Sequence, residues 1–179
     1  MSVLNWLKSL FGSATNQETK QQDQVEAEIL KHAAKAEKIT YRENLVNNLK
    51  LDHQNLLALY GGMLESIHES EYTKIVGQLE TFKTKFNAHL HTENLKLYVF
   101  LEQNVKEDAD EFKKIRKYRR EMRDIENAVN KFLTNWITSG INAENASEFE
   151  TQLKAIGEAL VKRIESEEHS LYPMYDQAA

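Results

Sequence analysis

The sequence contains no cysteine, which removes disulfides, thiolate metal sites and cysteine nucleophiles together. One proline and six glycines in 179 residues leave long stretches without a helix breaker. Val, Ile and Thr do not gather in alternating runs, so the strand signal is poor. No apolar run approaches the roughly 20 residues that a membrane-spanning helix needs. Lys8 interrupts the apolar stretch at the N-terminus and no small-residue cleavage site follows, so a signal peptide is not expected. A net charge of −5 argues against general nucleic-acid binding. Gly61–Gly62 lack the pattern of a phosphate loop, and no Ser/His/Asp arrangement offers a plausible nucleophile. The expected setting is the cytoplasm, and an enzyme is not the favoured class.

What is present suits helices. Hydrophobic residues make up 41% and charged residues 28%, enough for one core under a solvated surface, and the length fits one domain plus an appendage. Residues 2–11 place Val3, Leu4, Trp6, Leu7, Leu10 and Phe11 mostly on one side of a helix, and Gly12 ends the pattern. Three uses of this segment stay open: folding back on the domain, docking on a partner protein, or lying peripherally on the inner membrane surface. Ser13 to Gln24 reads as a flexible linker, giving a division into 1–12, 13–24 and a helical domain over 25–176. Residues 25–38 predict a short helix carrying Val25, Ile29 and Ala33 on one face.

Four longer helical patterns follow. The first runs from about Tyr41 to His68, with Leu45, Leu49, His53, Leu57, Tyr60, Leu64 and Ile67 on its inner stripe. The second, Glu71 to about Gln103, carries Ile75, Leu79, Phe82, Phe86, His89, Glu93, Leu97 and Phe100. The third, from about Asp110 to Ser139, turns Phe112, Ile115, Tyr118, Met122, Ile125, Val129, Phe132 and Trp136 inward, with Gly140 as its terminating glycine. The fourth opens at Ser147 with Glu150 completing a capping box. Its stripe is Ile156, Leu160, Arg163 or Ile164, Glu167 and Leu171, and Pro173 is expected to stop it. Short connections make sequential neighbours antiparallel, so the fold class is all-α, an up-down-up-down four-helix bundle.

The inner stripes hold polar residues that need a reason. His53 lies on the first helix, His89 and Glu93 are four apart on the second, and Arg163 and Glu167 are four apart on the fourth. Each i,i+4 pair stacks on one helix face. Two buried carboxylates demand a positive partner, and a metal ion and the Arg163 guanidinium are the two candidates. Bundle cores commonly assemble carboxylate–histidine metal sites.

Leu51-Asp52-His53-Gln54-Asn55-Leu56 resembles the first-helix motif of hemerythrin-like (HHE) domains. Phe86 to Glu93 resembles the second-helix HxxxE motif, and Ile164 to Pro173 the fourth-helix ending I-x-x-E-E-x-x-L-Y-P. The resemblance spans roughly residues 40–175 and implies a hemerythrin-like four-helix bundle that holds two irons. One iron takes a histidine from each of the first two helices, and carboxylates from the second and fourth helices bridge the pair. Carried onto this sequence, His53, His89, Glu93 and Glu167 supply that half and both bridges. The other iron takes three histidines, two from a third-helix HxxxH and one from the fourth helix. Here those places hold Tyr118, Met122 and Arg163, so one half-site is replaced completely.

Two outcomes stay open for the cofactor. One Fe²⁺, Mn²⁺ or Zn²⁺ held by two imidazoles and two carboxylates is a reasonable N/O set. Alternatively, Arg163 sets its fork between Glu93 and Glu167 and no metal binds. Phe149 to Glu168, with Ala155-Ile156-Gly157-Glu158-Ala159-Leu160 inside it, also resembles the last helix of the regulator of sigma D family, bacterial anti-sigma bundles without metal. Lys113, Lys117 and Arg120, within a basic run on the third helix, form either a solvated face or a surface for an anionic partner. The function expected is a regulatory or protein-binding module with a degenerate metal site, its partner another protein. The alternative is a single-iron sensor of oxygen or redox state.

Overall fold

The computed structural model describes residues 39–178. The amphipathic segment 2–11, the linker 13–24 and the helix expected over 25–38 lie outside the described residues. Periodic apolar residues and the scarcity of breakers produce four antiparallel rods. The first is α1 (Leu45–His68). The second is α2 (Tyr72–Thr92), which passes through a π-helical segment, Glu93–Tyr98, into α3 (Val99–Asn104). The third is α4 (Ala109–Ser139). The fourth is α5 (Ala146–Ser166), which passes through a second π segment, Glu167–Leu171, into α6 (Tyr172–Gln177). α1 packs on α2, α2 on α4, α4 on α5, and α5 back on α1, closing an up-down-up-down bundle.

Rod ends follow local chemistry. Asp108 caps α4, its carboxylate accepting from the backbone N–H of Asp110 and Glu111 at 3.1 Å each. Gly140 closes the same helix at φ +70°, a region where a Cβ is strained. Two expectations for the fourth rod need correction. The Ser147–Glu150 capping box is not used: Asn142 and Asn145 bond each other's backbone N–H groups and start α5 a residue earlier, while Glu150 pairs with Lys154 at 2.6 Å. Pro173 does not stop the rod either. Tyr172 N–H reaches back five residues to Glu167 O, so the hydrogen-bond ladder has already widened, and proline sits harmlessly in the first turn of α6.

The core is split in two. One apolar cluster holds Leu56, Met63, Phe82, Phe86, Val129, Phe132, Trp136 and Phe149 among others. The other gathers Leu45, Leu49, Leu97, Tyr98, Ile115, Leu171 and Tyr175. Along α1 the expected stripe shifts slightly: Leu56 and Met63 are buried, whereas Leu57, Tyr60 and Leu64 are half-buried. Buried aliphatic and aromatic side chains stabilise by roughly 1.5–3 kcal/mol each, and all four rods contribute them on both sides of a thin polar layer. That layer is the site.

Candidate metal centre

Buried in the layer between the clusters, His53, His89, Glu93 and Glu167 each bring a ligand-capable atom, all within 4.8 Å of one another. The i,i+4 spacing of His89 and Glu93 stacks them on the second rod, with Nε2 and Oε2 3.8 Å apart. His53 Nε2 lies 3.3 Å from Glu167 Oε2, across from α1 to the fourth rod.

Each imidazole also has a carboxylate on its outer side. His53 Nδ1 is hydrogen-bonded to Glu168 Oε1 at 2.8 Å, whereas His89 Nδ1, 3.7 Å from Asp52 Oδ2, has no hydrogen-bond partner among the described residues. A carboxylate at Nδ1 favours the proton there and leaves Nε2 facing inward, the arrangement that orients metal-binding histidines. Asp52 and Glu168 were not singled out in the sequence. Both fell inside the first- and fourth-helix motif segments, without a role of their own.

Two tyrosines complete the layer. Tyr172 donates its hydroxyl proton to Glu93 Oε1 at 2.9 Å and lies 3.3 Å from His53 Nε2. Arg163 donates through a terminal nitrogen to the Tyr98 hydroxyl oxygen at 2.6 Å and through Nε to Glu167 Oε1 at 2.5 Å. Tyr98 follows Glu93 by five residues, and Tyr172 follows Glu167 by five. In an α-helix that offset turns the side chain well away, whereas i→i+5 bonding brings both onto one face. Each π segment therefore begins at a site carboxylate and ends at, or one residue before, the tyrosine that closes the site.

Arg163 does not take the position between the two acids that one of the two outcomes gave it: among the described residues its ion pair is with Glu167 alone. Its guanidinium carbon lies 5.3 Å from the centre of the Tyr118 ring, and Met122 lies buried nearby, lining the same cavity. Glu93 Oε2 has no hydrogen-bond partner among the described residues. The layer is thus divided. One half is filled by Arg163 with Tyr98 and Tyr118, and the other presents imidazoles and an unsatisfied carboxylate oxygen.

Electrostatics follow the same division. Burial first, and then the charge of Glu167, push Glu93 up to about 8, against the opposing pull of Arg163. Burial would also raise Glu167, but the Arg163 charge and the His53 hydrogen bond hold it below the usual carboxylate range. Burial pulls His53 down, yet hydrogen bonds to Glu167 and Glu168 outweigh it and the net shift is upward. His89 is driven down to about 4 by burial and by the neighbouring charge of His53. Burial raises the Tyr98 hydroxyl well above its ordinary value.

A small cavity of about 20 Å³ adjoins the layer, large enough for a water. His91 and His169 are exposed, on the outer faces of their rods. Lys113, Lys117 and Arg120 are exposed on α4. Lys113 pairs with Asp110 at 3.7 Å and Lys117 with Glu121 at 3.8 Å, so acidic neighbours match part of that charge. No helix among the described residues is long and apolar enough to cross a membrane.

The family model described as hemerythrin HHE cation binding domain matches residues 44–175, from the residue before α1 into α6. No curated protein and no solved structure matches.

Proposed function

The chain belongs to the hemerythrin HHE cation-binding domain family, and from that premise we propose that it holds one divalent transition-metal ion where the family's motif provides for two. The ligands are His53, His89, Glu93 and Glu167, and Arg163 is a permanent positive charge in the place of the second ion. The observation that carries this reading is the buried Glu93 Oε2 without a partner, beside two imidazoles whose outer nitrogens face carboxylates. An unsatisfied buried acid costs about 1–3 kcal/mol or more, and a cation removes that cost. Two imidazoles and two carboxylates suit Fe²⁺, Mn²⁺ or Zn²⁺.

A bound ion supplies a Lewis-acidic centre, and iron adds a redox couple. The chain's own residues do the rest. Glu168 orients His53 by a hydrogen bond, Asp52 places a negative charge beside His89, Tyr172 steadies Glu93, and Arg163 keeps Glu167 ionised while blocking a second ion. The cavity beside the ligands, about 20 Å³, suits a water rather than an organic substrate. We therefore read the domain as a regulatory module whose metal occupancy or redox state is reported to a protein partner, in preference to a turnover enzyme.

Titration with Co²⁺ as a visible probe tests the reading. Absorption in the visible region should saturate at one equivalent, and His89→Ala and Glu93→Ala should each abolish the saturable signal. A wild-type titration without saturable change contradicts it.

A further inference from the structure

The cavity beside the site has an inner and an outer wall. His53, His89, Arg163 and Glu167 line it inside and are buried. Leu57, Tyr60 and Ile164, half-buried, line its rim where α1 meets α5. A side-chain carbon built on Gly157 would lie 2.3 Å from Tyr60 Cζ and 2.5 Å from its hydroxyl oxygen. The far end of the Tyr60 ring therefore occupies the space that any side chain at 157 would fill.

Gly157 lies buried within α5, where glycine costs about 1 kcal/mol relative to alanine. Helix propensity does not account for it, and the tyrosine ring does. Tyr60 is half-buried and lines the cavity, and the exposed Lys154 and Glu158 stand one turn or less from Gly157 on α5.

We infer that Tyr60, seated on Gly157, is the residue that sets the size of molecule able to reach the His53/His89/Glu167 cluster from solvent. With the ring seated, the route passes species about the size of water, a bare metal ion included, and excludes organic ligands and chelators. The inference deepens the metal reading, since it controls access to the proposed ion, but the seat itself exists without one.

The test uses the metal-free full chain and diethyl pyrocarbonate, an organic probe larger than water, with modification at each histidine followed by mass spectrometry. Exposed His91 and His169 serve as internal controls. In the wild type, His53 and His89 should react at least tenfold more slowly than His91. Tyr60→Ala should accelerate both buried sites about tenfold or more, and Tyr60→Phe should leave them unchanged. Gly157→Ala, which evicts the ring without removing it, should act like Tyr60→Ala. Amide exchange around Phe132 and Phe149 should stay as in the wild type.

Unchanged reactivity in Tyr60→Ala overturns the inference. So does acceleration accompanied by faster amide exchange at Phe132 and Phe149, because that reports general loosening. A failed Co²⁺ titration leaves this test standing, whereas unchanged histidine reactivity with intact Co²⁺ binding removes only the role of Tyr60.

Discussion

A guanidinium bonded to Glu167 through Nε and to the Tyr98 hydroxyl through a terminal nitrogen cannot dissociate as an ion can. Arg163→Ala leaves Glu167 as a buried carboxylate offset only by the imidazoles of His53 and His89, and losing one partner of a buried pair costs about 3–5 kcal/mol. The metal-free variant should unfold at a correspondingly lower denaturant midpoint, and an unchanged midpoint would remove Arg163 from this role. Glu93 gives a second expectation at this scale. Its pKa is raised from 4.5 to about 8 on folding, so between those values the folded metal-free chain holds a proton that the unfolded chain has released. Stability from this group is complete below about 4.5 and is lost as pH rises through 8. Glu93→Gln does not titrate, so unfolding free energies should show the wild type losing stability relative to the variant as pH rises across that window. A constant difference would contradict the shift.

Residue by residue, the convergence of His53, His89, Glu93 and Glu167 was legible because charged and imidazole side chains stand out on an apolar stripe at i,i+4. Arg163 was legible as an intruder, but its direction was not. Helical spacing does not say whether a long side chain bridges two acids or binds one acid and a tyrosine. Tyr98 passed unnoticed because a buried aromatic on a helix reads as core, and Tyr172 stood in the fourth-helix motif without a role at the site.

At the scale of elements, the hidden information was the π segments. Helical period predicts that Glu93 and Tyr98 diverge, and the wider turn brings them together. Deleting Leu95, 43% exposed in the first π segment, takes out the extra residue without removing a core side chain. The second rod should stay helical by circular dichroism, and Tyr98, now four residues after Glu93 in an ordinary α-helix, should stay on the same face as Glu93. Co²⁺ binding should therefore persist at one equivalent, and its loss would show that the wider turn itself, rather than the shared face, sets the site. The rods themselves were legible almost to their ends. The misses at Ser147 and Pro173 share one cause: a neighbouring feature, the Asn142–Asn145 turn in one case and the second π segment in the other, satisfied the backbone first.

For the whole molecule, the two apolar clusters clamp a single polar layer crossed by all four rods. A site held in this way is pre-organised, and an ion bound there stabilises the folded state alone. At a hundredfold excess over its dissociation constant it adds about 2.7 kcal/mol. The bundle topology was legible from loop lengths and periodicity, whereas the division of the layer into an arginine half and an open half emerged only from side-chain geometry. The central claim is stoichiometric, so elemental analysis tests it most directly. The chain would be expressed with added iron and purified beside His53→Ala and Glu93→Ala. The account expects close to one equivalent of metal in the wild type and almost none in either variant. Two equivalents, or no metal above the variants, would contradict it.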